Sequence, residues 1–573
     1  MQKRWIIKET DRALAVHLSR KLNISYTTAV ILANRGIIDV DKAHSFLNPL
    51  LKDFRDPFLL NDMDRAVGRI LSAFDRQEKI VIHGDYDVDG ITATVLLADF
   101  FKRMGGEVDF FLPSRADGYG LKKGSIDACS EKGARLIVTV DCGISSVQEI
   151  AYARELGIDV VVTDHHEPEG DLPACCAVVN PKRLDSSYPF KDIAGVGVAF
   201  KLAHAILKKC KNQGLSRYST DIDLREYLDL VSLGTIGDVV PLIDENRIIV
   251  KYGLQKITEG NRRGIKALKK AAGLLHDIDA GHVSFRLAPR INATGRVSMA
   301  NKAARLLLCE EEVEAEIIAM ELENHNRDRQ KIEAEVLKEA FARVEAEIDL
   351  SREKIIVVWG ENWHHGVIGI VASRLVRKFN RPAVVISLDD IVGKGSARSI
   401  RNFHILDALR SCKEHIYNVG GHEGAAGMSI RKDRLEQFRK QLSAAALETI
   451  SDDDLLPAID IDAEVRLDEL TYSGIKEFER LMPFGYGNTH PVFLSRAVKI
   501  SRVPKVVGSD HLKMFVDGAG MEIDVVGFGM ADALKKMSLK KGDSVDIVYT
   551  PEINKFRGEE RLQLELSDVR VVC

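Results

Sequence analysis

The sequence predicts a multidomain α/β chain that ends in a small β-barrel, and three patterns along its 573 residues support this prediction. Strand-like and helix-like segments alternate between residues 80 and 180, which favours βαβ units and a parallel sheet. The alternation resumes after about residue 350, and after about residue 455 it gives way to short strands separated by turns. Because the chain is longer than one hydrophobic core usually supports, we expect two to four domains.

The first block places polar side chains where its predicted strands end. "IVIH" precedes "GDYDVDG", "LIVTVD" ends at Asp141, and "VVVTDHH" ends in Asp164, His165 and His166. Ligands of parallel sheets bind outside the carboxyl ends of the strands. Acidic groups packed there, with Asp238 after a predicted helix, would repel one another unless cations lay among them. A carboxylate and imidazole set without thiolates favours manganese or magnesium over structural zinc.

The same loop also matches the first half of an EF-hand calcium site, through Asp85, Asp87 and Asp89. An EF-hand needs a bidentate Glu at its twelfth position and a helix that leads into the loop. Here the twelfth position is Leu96, and residues 79–82 have the β-branched character of a buried strand. The sequence therefore disfavours a calcium switch. Cys142, beside Asp141, has no dedicated base in the sequence, so we expect a packed residue and not a nucleophile.

Composition limits the partners and the compartment. The formal net charge is −4, so a polyanionic partner would have to be attracted by a local basic track. No apolar run approaches the ~18 residues of a membrane span, and "MQKRWIIKETDRA" is too polar for a secretory signal. The eight cysteines form no CxxC pair, which suits a reducing compartment. We therefore expect a cytoplasmic protein with no membrane partner.

The second block contains candidate phosphate contacts. In "VGKGSARSIRNF", glycines 393 and 395 would allow close backbone approach, and Ser396 and Arg398 would donate to phosphates. A plain surface turn is the alternative. Further candidates are Ser373 and Arg374 on the preceding predicted helix, Arg290 and Arg296 in a "PRINATGR" loop, and His422 in "GGHEGAAG". For the arginines an exposed ion pair is the alternative, and for His422 a tight turn between strands.

Together, these motifs resemble a known family. His83, Asp87 and Asp89, followed by Asp141, the triplet 164–166 and Asp238, resemble the four motifs of the DHH phosphoesterase family. "GGHEGAAG" resembles the GGH motif of its DHH-associated domain. "PRINATGRV" and "HHGVIGIVASRLV" are similar to the bacterial single-strand DNA exonucleases of that family, and the resemblance covers nearly the whole chain.

The resemblance implies a role for each residue at the predicted metal site. His83, Asp87 and Asp141 would hold one metal; Asp89, Asp141, His165 and Asp238 would hold the other. His166 would face the scissile phosphate, and Asp164 would orient a neighbour. Asp85 is left open, either as a ligand or as an acceptor that orients one. The predicted metal ligands are thus His83, Asp85, Asp87, Asp89, Asp141, His165 and Asp238, and the predicted catalytic residues are Asp87, Asp89, Asp141, His165, His166 and Asp238. The predicted nucleic-acid-binding residues are His166, Arg290, Arg296, Ser373, Arg374, Ser396, Arg398 and His422.

The resemblance also implies the order of domains. We expect an N-terminal helical segment at 1–50, a parallel-sheet DHH catalytic domain at 51–300, a long connecting helix at 301–350, a DHH-associated (DHHA1) α/β domain at 351–454 and an OB-fold barrel at 455–573. The highly charged segment 301–346 sustains no clean heptad, so a connecting helix is favoured over a coiled-coil partner site.

The function implied is a two-metal exonuclease, using Mn²⁺ or Mg²⁺, that degrades single-stranded DNA from its 5′ end to 5′-mononucleotides in DNA repair and recombination. We expect a monomer that meets a single-strand-binding protein and a helicase. Two alternatives stay open: a phosphodiesterase for short oligonucleotides or cyclic dinucleotides, and a metal-free DNA-binding scaffold.

Overall fold

The computed structural model describes residues 3–114, 118, 120–168, 170–218, 220–297, 300–389, 391–518, 521–556 and 559–572. The N-terminal segment begins with a strand that the sequence did not predict and continues with the expected helices. These elements are β1 (Arg4–Ile7), α1 (Arg12–Leu22), α2 (Tyr26–Asn34) and α3 (Val40–Leu47). Asp11, Ser25 and Asp39 accept backbone N–H bonds at the starts of the three helices, as N-caps do.

The first block has the predicted parallel sheet, with strand order β3-β2-β4-β5-β6. Its central strands β2, β4 and β5 are rich in Val and Ile and almost entirely buried, which is typical of parallel sheets. The elements are α4 (Met63–Asp75), β2 (Ile80–His83), α5 (Val88–Arg103), β3 (Val108–Phe111), α6 (Lys123–Glu131), β4 (Leu136–Val140), α7 (Val147–Glu155), β5 (Asp159–Thr163), β6 (Ala177–Val179), α8 (Gly195–Asn212) and α9 (Leu228–Gly237).

A run of helices follows: α10 (Asp244–Glu259), α11 (Arg263–Ala271), α12 (Ala280–His282), α13 (Ala288–Val297), α14 (Asn301–Leu308) and α15 (Glu312–Glu347). The prediction of a loop at "PRINATGR" was wrong, because these residues lie in α13, which directly continues a π-helical turn at Val283–Leu287. Pro289 therefore follows a π-helical turn inside a continuous helical run. The predicted connecting helix is α15, but it begins at Glu312. A turn separates it from α14, and Arg305 and Glu314 pair across that turn at 2.8 Å.

The second block is also α/β, with a mixed sheet in the order β10-β11-β9-β8-β7. Its elements are β7 (Ile356–Glu361), α16 (His365–Phe379), β8 (Ala383–Leu388), β9 (Val392–Arg398), α17 (Ile405–Arg410), β10 (Ile416–His422), β11 (Ala425–Arg431) and α18 (Leu435–Thr449). The segment "VGKGSAR", for which a plain surface turn was the alternative, is strand β9. A Cβ on Gly393 or Gly395 would lie 2.8 Å from Ile386 or Met428, so packing in the sheet demands these two glycines.

The C-terminal part is a β-barrel, as predicted. Its elements are β12 (Ala458–Ile461), β13 (Ala463–Glu464), α19 (Tyr472–Glu477), β14 (Phe493–Lys499), β15 (Lys505–Val507), β16 (His511–Gly518), β17 (Met521–Gly527), α20 (Ala531–Met537), β18 (Ser544–Phe556) and β19 (Glu559–Val571). Seven strands form one sheet in the order β13-β14-β18-β19-β17-β16-β15. A bridge between Ile500 and Val516 brings the chain after β14 against β16, which curls the sheet.

The chain divides into two compact units. One contains residues 1–54, 241–251 and 458–573, and the other contains 55–240 and 252–457. In the first unit β1 pairs in parallel with β12, and Leu18 and Ile31 share one hydrophobic core with Phe493 of the barrel. The N-terminal segment is therefore part of the barrel unit, while the five predicted domain boundaries stay a proposal. No helix among the described residues is long and apolar enough to cross a membrane.

Candidate metal centre and nucleic-acid groove

The turn between β2 and α5 presents three aspartates from a tightly held backbone. Oδ1 of Asp87 caps α5 by accepting N–H bonds from Asp89 at 3.0 Å and from Gly90 at 3.2 Å. A Cβ on Gly90 would lie 2.5 Å from the backbone N of Asp85, so only glycine fits there. The cap and the glycine together set the directions of Asp85, Asp87 and Asp89.

Asp89 is fully buried at the N-terminus of α8. Its carboxylate accepts N–H bonds from Gly195 at 2.7 Å and from Val196 at 2.8 Å, where the helix dipole favours negative charge. A Cβ on Gly195 would lie 2.6 Å from Oδ1 of Asp141, so this glycine makes room for the next predicted ligand. Gly195 was not predicted from the sequence. The glycine-rich "AGVGVAF", a helix start with no capping side chain, was the available signal.

Asp141 follows β4 in a left-handed conformation, with φ +58°. Few non-glycine residues adopt this conformation, and such backbones concentrate at functional sites. Two clusters of metal-ligating atoms share its carboxylate: Asp141 with Asp85 and Asp87, and Asp141 with His165 and His166. The structure thus places the Asp141 carboxylate in both clusters, and its role as the bridging metal ligand stays a prediction.

His165 joins this carboxylate to the remaining predicted ligands. Its Nε2 lies 3.1 Å from Oδ1 of Asp141, 3.6 Å from Oδ2 of Asp238 and 3.8 Å from Oδ2 of Asp89. Asp89, His165 and Asp238 themselves form a third cluster of atoms within 4.8 Å of one another. All four ligands predicted for the second metal therefore converge.

The electrostatics of the clusters fit cations. Burial, followed by repulsion from neighbouring aspartates, raises the pKa of Asp89 to about 7 and raises the pKa of Asp141 and Asp238 well above the usual carboxyl range. Without a cation, such carboxyls must hold protons. Carboxylate oxygens with an imidazole nitrogen are the donors that Mn²⁺ and Mg²⁺ take, so the residues present fit a two-metal centre.

His166 differs from His165 in its partner. Oδ1 of Asp164 accepts a bond from Nδ1 of His166 at 2.8 Å, while Oδ2 accepts the N–H of Ile144 at 2.9 Å. Burial lowers the pKa of His166, but the bond to Asp164 outweighs it and the pKa rises to about 9. Burial lowers the pKa of His165 to about 3, so its imidazole is neutral, as a metal ligand must be. Asp164 thus contacts His166 and holds its ring; the sequence predicted a supporting role for Asp164 without naming the residue it supports.

His83 does not join any of the three clusters found among the described residues. Its Nε2 lies 3.1 Å from Oγ of Ser125, its Nδ1 lies 3.8 Å from Sγ of Cys142, and its ring stacks on Phe111. Burial lowers the pKa of His83 to about 4, so the ring is neutral. Asp85 takes the place in the first cluster that the sequence assigned to His83. The ligand role of His83 remains a prediction.

A groove of about 870 Å³ runs from the metal loop to the second sheet. Tyr86, between two of the aspartates, lines it together with Ser373, Ser396 and Arg398, three of the predicted phosphate contacts. Its floor on the sheet is the directly paired row Gly420, Gly427 and Ser396 on β10, β11 and β9. We call this the glycine groove.

Packing does not explain the two glycines in the floor of the glycine groove. A Cβ on Gly420 or Gly427 would meet no atom of the described residues within 4 Å, in contrast to Gly393 and Gly395. Glycine in a strand costs stability and marks a place where a ligand or another backbone approaches closely. The pair keeps a trough open across the sheet.

The other predicted phosphate contacts lie outside the glycine groove. Arg290 is largely buried and pairs with the buried Glu323 at 2.7 Å, so this is not the exposed ion pair that was the alternative. Arg374 is half-exposed and pairs with the buried Glu333 at 3.3 Å. His422 is exposed at the end of β10, and its Nδ1 accepts the N–H of Gly424 at 3.2 Å. The side chain of Arg296 lies outside the described residues.

One further residue supports the metal loop. Oδ1 of Asn292, on α13, accepts the N–H of Val88 at 2.9 Å, which completes the capping of the first turn of α5. In the segment around Asn292, only the arginines were predicted to have a function. A contact over a sequence separation of 204 residues leaves no local pattern, so it was not predictable.

Comparisons with known proteins find three family models. The DHH family N-terminal domain matches residues 79–235, the DHHA1 domain matches 352–448 and the RecJ OB domain matches 461–568. The single-stranded-DNA-specific exonuclease RecJ of Bacillus subtilis (strain 168) is 38% identical, with 99% of this chain and 71% of that protein covered. The protein of the same description from Escherichia coli (strain K12) is 35% identical, with 89% and 90% covered.

Solved structures give the same result. The crystal structure of RecJ from Thermus thermophilus in complex with Mn²⁺ matches with a TM-score of 0.84 and 28% identity, covering 99% of this chain and 79% of that one. The corresponding complex with Mg²⁺ matches with a TM-score of 0.78 and 27% identity, covering 99% and 78%.

Proposed function

The chain belongs to the RecJ family of single-stranded-DNA-specific exonucleases, and from this premise we propose that it degrades single strands from the 5′ end and releases 5′-mononucleotides. The enzyme hydrolyses single-stranded DNA and uses Mn²⁺ or Mg²⁺. The observation that supports the polarity is the glycine groove, in which Tyr86 of the metal loop and the donors Ser396 and Arg398 line one cavity.

The groove suits the end of a strand. Arg398 and two serine hydroxyls offer a guanidinium and neutral donors to phosphate oxygens, and a terminal phosphate carries more charge than a phosphodiester. Open glycines on the floor let the sugar–phosphate backbone approach the sheet. We infer that the terminal 5′-phosphate rests near Ser396 and Arg398 while the first phosphodiester lies by the aspartates.

At the metal centre, Asp85, Asp87 and Asp141 would hold one cation, with His83 as a further predicted ligand, and Asp89, Asp141, His165 and Asp238 would hold the other. Bound cations supply charge neutralisation of the scissile phosphate and activation of water. His166 holds a proton on each ring nitrogen below its pKa of about 9. Since Nδ1 binds Asp164, the Nε2–H is the donor we assign to the phosphate under attack. Water adds to phosphorus, the P–O3′ bond breaks, and the released nucleotide keeps its 5′-phosphate.

The test uses one single strand labelled at its 5′ end or at its 3′ end, with Mn²⁺ or with EDTA, beside the duplex. We expect labelled mononucleotide at early times from the 5′ label only, with no product in EDTA and little from duplex. Early mononucleotide from the 3′ label would contradict the proposed polarity.

The cellular setting is proposed as well. An enzyme restricted to single strands needs another activity to open duplex DNA, so we propose that a helicase supplies its substrate and that a single-strand-binding protein shares it, in cytoplasmic DNA repair and recombination. We also propose that it acts as a monomer. Sedimentation of the purified protein measures the oligomeric state, and co-sedimentation with each partner measures association.

A further inference from the structure

A second cleft, of about 550 Å³, opens beside the glycine groove. Its polar lining is Asn292, Arg329, Gln330, Glu333 and Arg374, and we call it the arginine cleft. Ile370 on α16 lines both cavities, so the two clefts adjoin. Arg329 and Gln330 have no role in the proposed function.

The charges around the arginine cleft do not balance. Glu333 pairs with Arg329 at 2.8 Å and with Arg374 at 3.3 Å, while Glu323 pairs with Arg290 and with Arg327, each at 2.7 Å. Among the charged residues that line the cleft, two guanidinium groups share one carboxylate, which leaves an excess of one positive charge. Burial, and then the nearby Arg374 and Arg290, lower the pKa of Arg329 despite Glu333. An anion in the cleft would relieve this repulsion.

Arg329 also has a donor without an acceptor. The residue is 8% exposed, and it donates from Nη1 to Glu333 and from Nη2 to Asn326. Its buried Nε has no hydrogen-bond partner in the part of the chain that the structure describes. Leaving a buried charged donor unsatisfied is costly, so such a group indicates a missing ligand or water.

The cleft is adjacent to the metal loop. Oδ1 of Asn292 accepts the N–H of Val88, which lies between Asp87 and Asp89. The side-chain NH₂ group of Asn292 is therefore left as a hydrogen-bond donor for a ligand in the arginine cleft. Arg329, Arg374 and Asn292 therefore present donors next to the metal site. Donors of this kind recognise phosphate oxygens.

We propose that the arginine cleft binds an internal backbone phosphate of the DNA strand whose end occupies the glycine groove. The inference rests on the proposed function and deepens it: with one contact at the end and another further along, the enzyme prefers strands longer than a dinucleotide. Arg329 and Arg374 make the phosphate contact, and Glu333 holds both guanidinium groups in place.

The test compares wild type with Arg374→Gln, which changes a half-exposed residue, and with the matched control Arg377→Gln, an exposed position on the same helix. Binding of a long 5′-phosphorylated oligothymidylate is measured in EDTA at several salt concentrations. We expect Arg374→Gln to weaken binding roughly tenfold and to make the slope of log K against log salt shallower by about 0.7, the value for one lost phosphate contact on a single strand. Arg377→Gln should match wild type.

Hydrolysis supplies the second measurement. With Mn²⁺, the loss of kcat/KM in Arg374→Gln should be larger for the long strand than for a 5′-phosphorylated dinucleotide. Arg329→Gln should show the same gradient, and its circular dichroism and melting temperature report whether it folds.

Two results would overturn the inference. Equal losses of kcat/KM on the long strand and on the dinucleotide, with an unchanged salt slope, would show that the arginine cleft makes no contact with the DNA backbone. If a variant changes only the inhibition of hydrolysis by a 5′-mononucleotide, the arginine cleft binds the released product and not the DNA strand. Wild type that fails to degrade long strands would contradict the proposed function itself, which is a separate outcome.

Discussion

Asp141 combines a strained backbone with a shared carboxylate, and its substitution should separate chemistry from binding. Asp141→Asn suits the left-handed conformation, which Asn tolerates, while it removes the charge that two clusters share. We expect hydrolysis to fall by roughly 10³-fold or more, since loss of one stabilising group alone costs about that much. DNA binding in EDTA should stay within about tenfold, because phosphate contacts elsewhere supply most of the affinity.

The measurement is single-turnover hydrolysis beside a binding titration, with Asp171→Asn, an exposed position, as the control. Near-normal cleavage by Asp141→Asn in Mn²⁺ would refute the bridging role.

The adjacent histidines should respond differently to metal. His165 lies among three aspartates, so His165→Ala should weaken metal affinity, and added Mn²⁺ should restore part of the rate. His166 bonds to Asp164 and is proposed to donate to the phosphate, so extra metal should not rescue His166→Ala. Initial rates across an Mn²⁺ titration distinguish the two, and equal rescue of both variants would show that the roles are wrongly assigned.

The raised carboxyl pKa values predict a pH-dependent effect of metal on stability. Asp89 has a folded-state pKa of about 7, above its value in the unfolded chain, so the folded metal-free site binds protons that the unfolded chain has already lost. This contribution to stability is present at low pH and is lost as pH rises through about 7. Metal replaces the protons, so Mn²⁺ should raise the melting temperature more at about pH 8 than at about pH 6. Thermal melts in EDTA and in Mn²⁺ test this, and a pH-independent shift would contradict it.

At the scale of elements, a glycine in strand β11 lowers the stability of the fold and leaves the surface above it open. Gly427 is exposed in mid-strand, and no atom in the part of the chain that the structure describes would lie within 4 Å of a Cβ there. Gly427→Val should therefore stabilise the fold by about 0.5–1 kcal/mol, because valine is a better strand former than glycine. The same side chain would fill the trough, so DNA binding should weaken.

Urea unfolding and binding titrations measure the two effects of Gly427→Val. Gly68→Ala in α4 is the control: it also has open space and should stabilise the protein without any effect on DNA. Tight DNA binding by Gly427→Val would show that the glycine groove is not the path of the strand.

At the scale of the whole molecule, the N-terminal segment folds as part of the barrel unit. Arg247, fully buried, donates to the carbonyls of Phe46, Arg480 and Leu481, and so joins three separate chain segments of that unit. A chain cut after residue 455 loses the barrel but keeps residues 1–54, whose apolar faces then have no core to pack against.

We therefore expect the fragment 55–457 to expose less apolar surface and to have a higher melting temperature than the fragment 1–455. Dye binding to exposed apolar surface and melting temperature compare the two. If 55–457 cleaves, the salt dependence of its DNA binding should be shallower than that of the full chain, because barrel contacts with phosphates are lost. An unchanged salt slope would mean that the barrel does not bind DNA. Equal stability of the two fragments would contradict the shared core.

The sequence by itself determined the features that depend on near neighbours. Alternating apolar runs predicted the parallel sheet, because strand and helix periodicities are local properties. Aspartates and histidines directly after β2, β4 and β5 had to meet, since the carboxyl ends of parallel strands lie at one edge. The predicted convergence of Asp89, Asp141, His165 and Asp238 followed from this rule and from the resemblance.

Only the tertiary structure decided the contacts that join distant segments. Asp89 accepts bonds from Gly195, and Arg329 lines a cleft with Arg374, without any spacing in the sequence that records either contact. The same holds for glycines in similar glycine-rich segments. Packing against neighbouring side chains requires glycine at position 393, whereas no contact among the described residues requires it at position 427. The local sequence pattern determines on which face of a helix or strand a residue lies. Its neighbours across the fold depend on how whole elements pack, so packing determines which residues bind a ligand, which support those residues and which line an open surface.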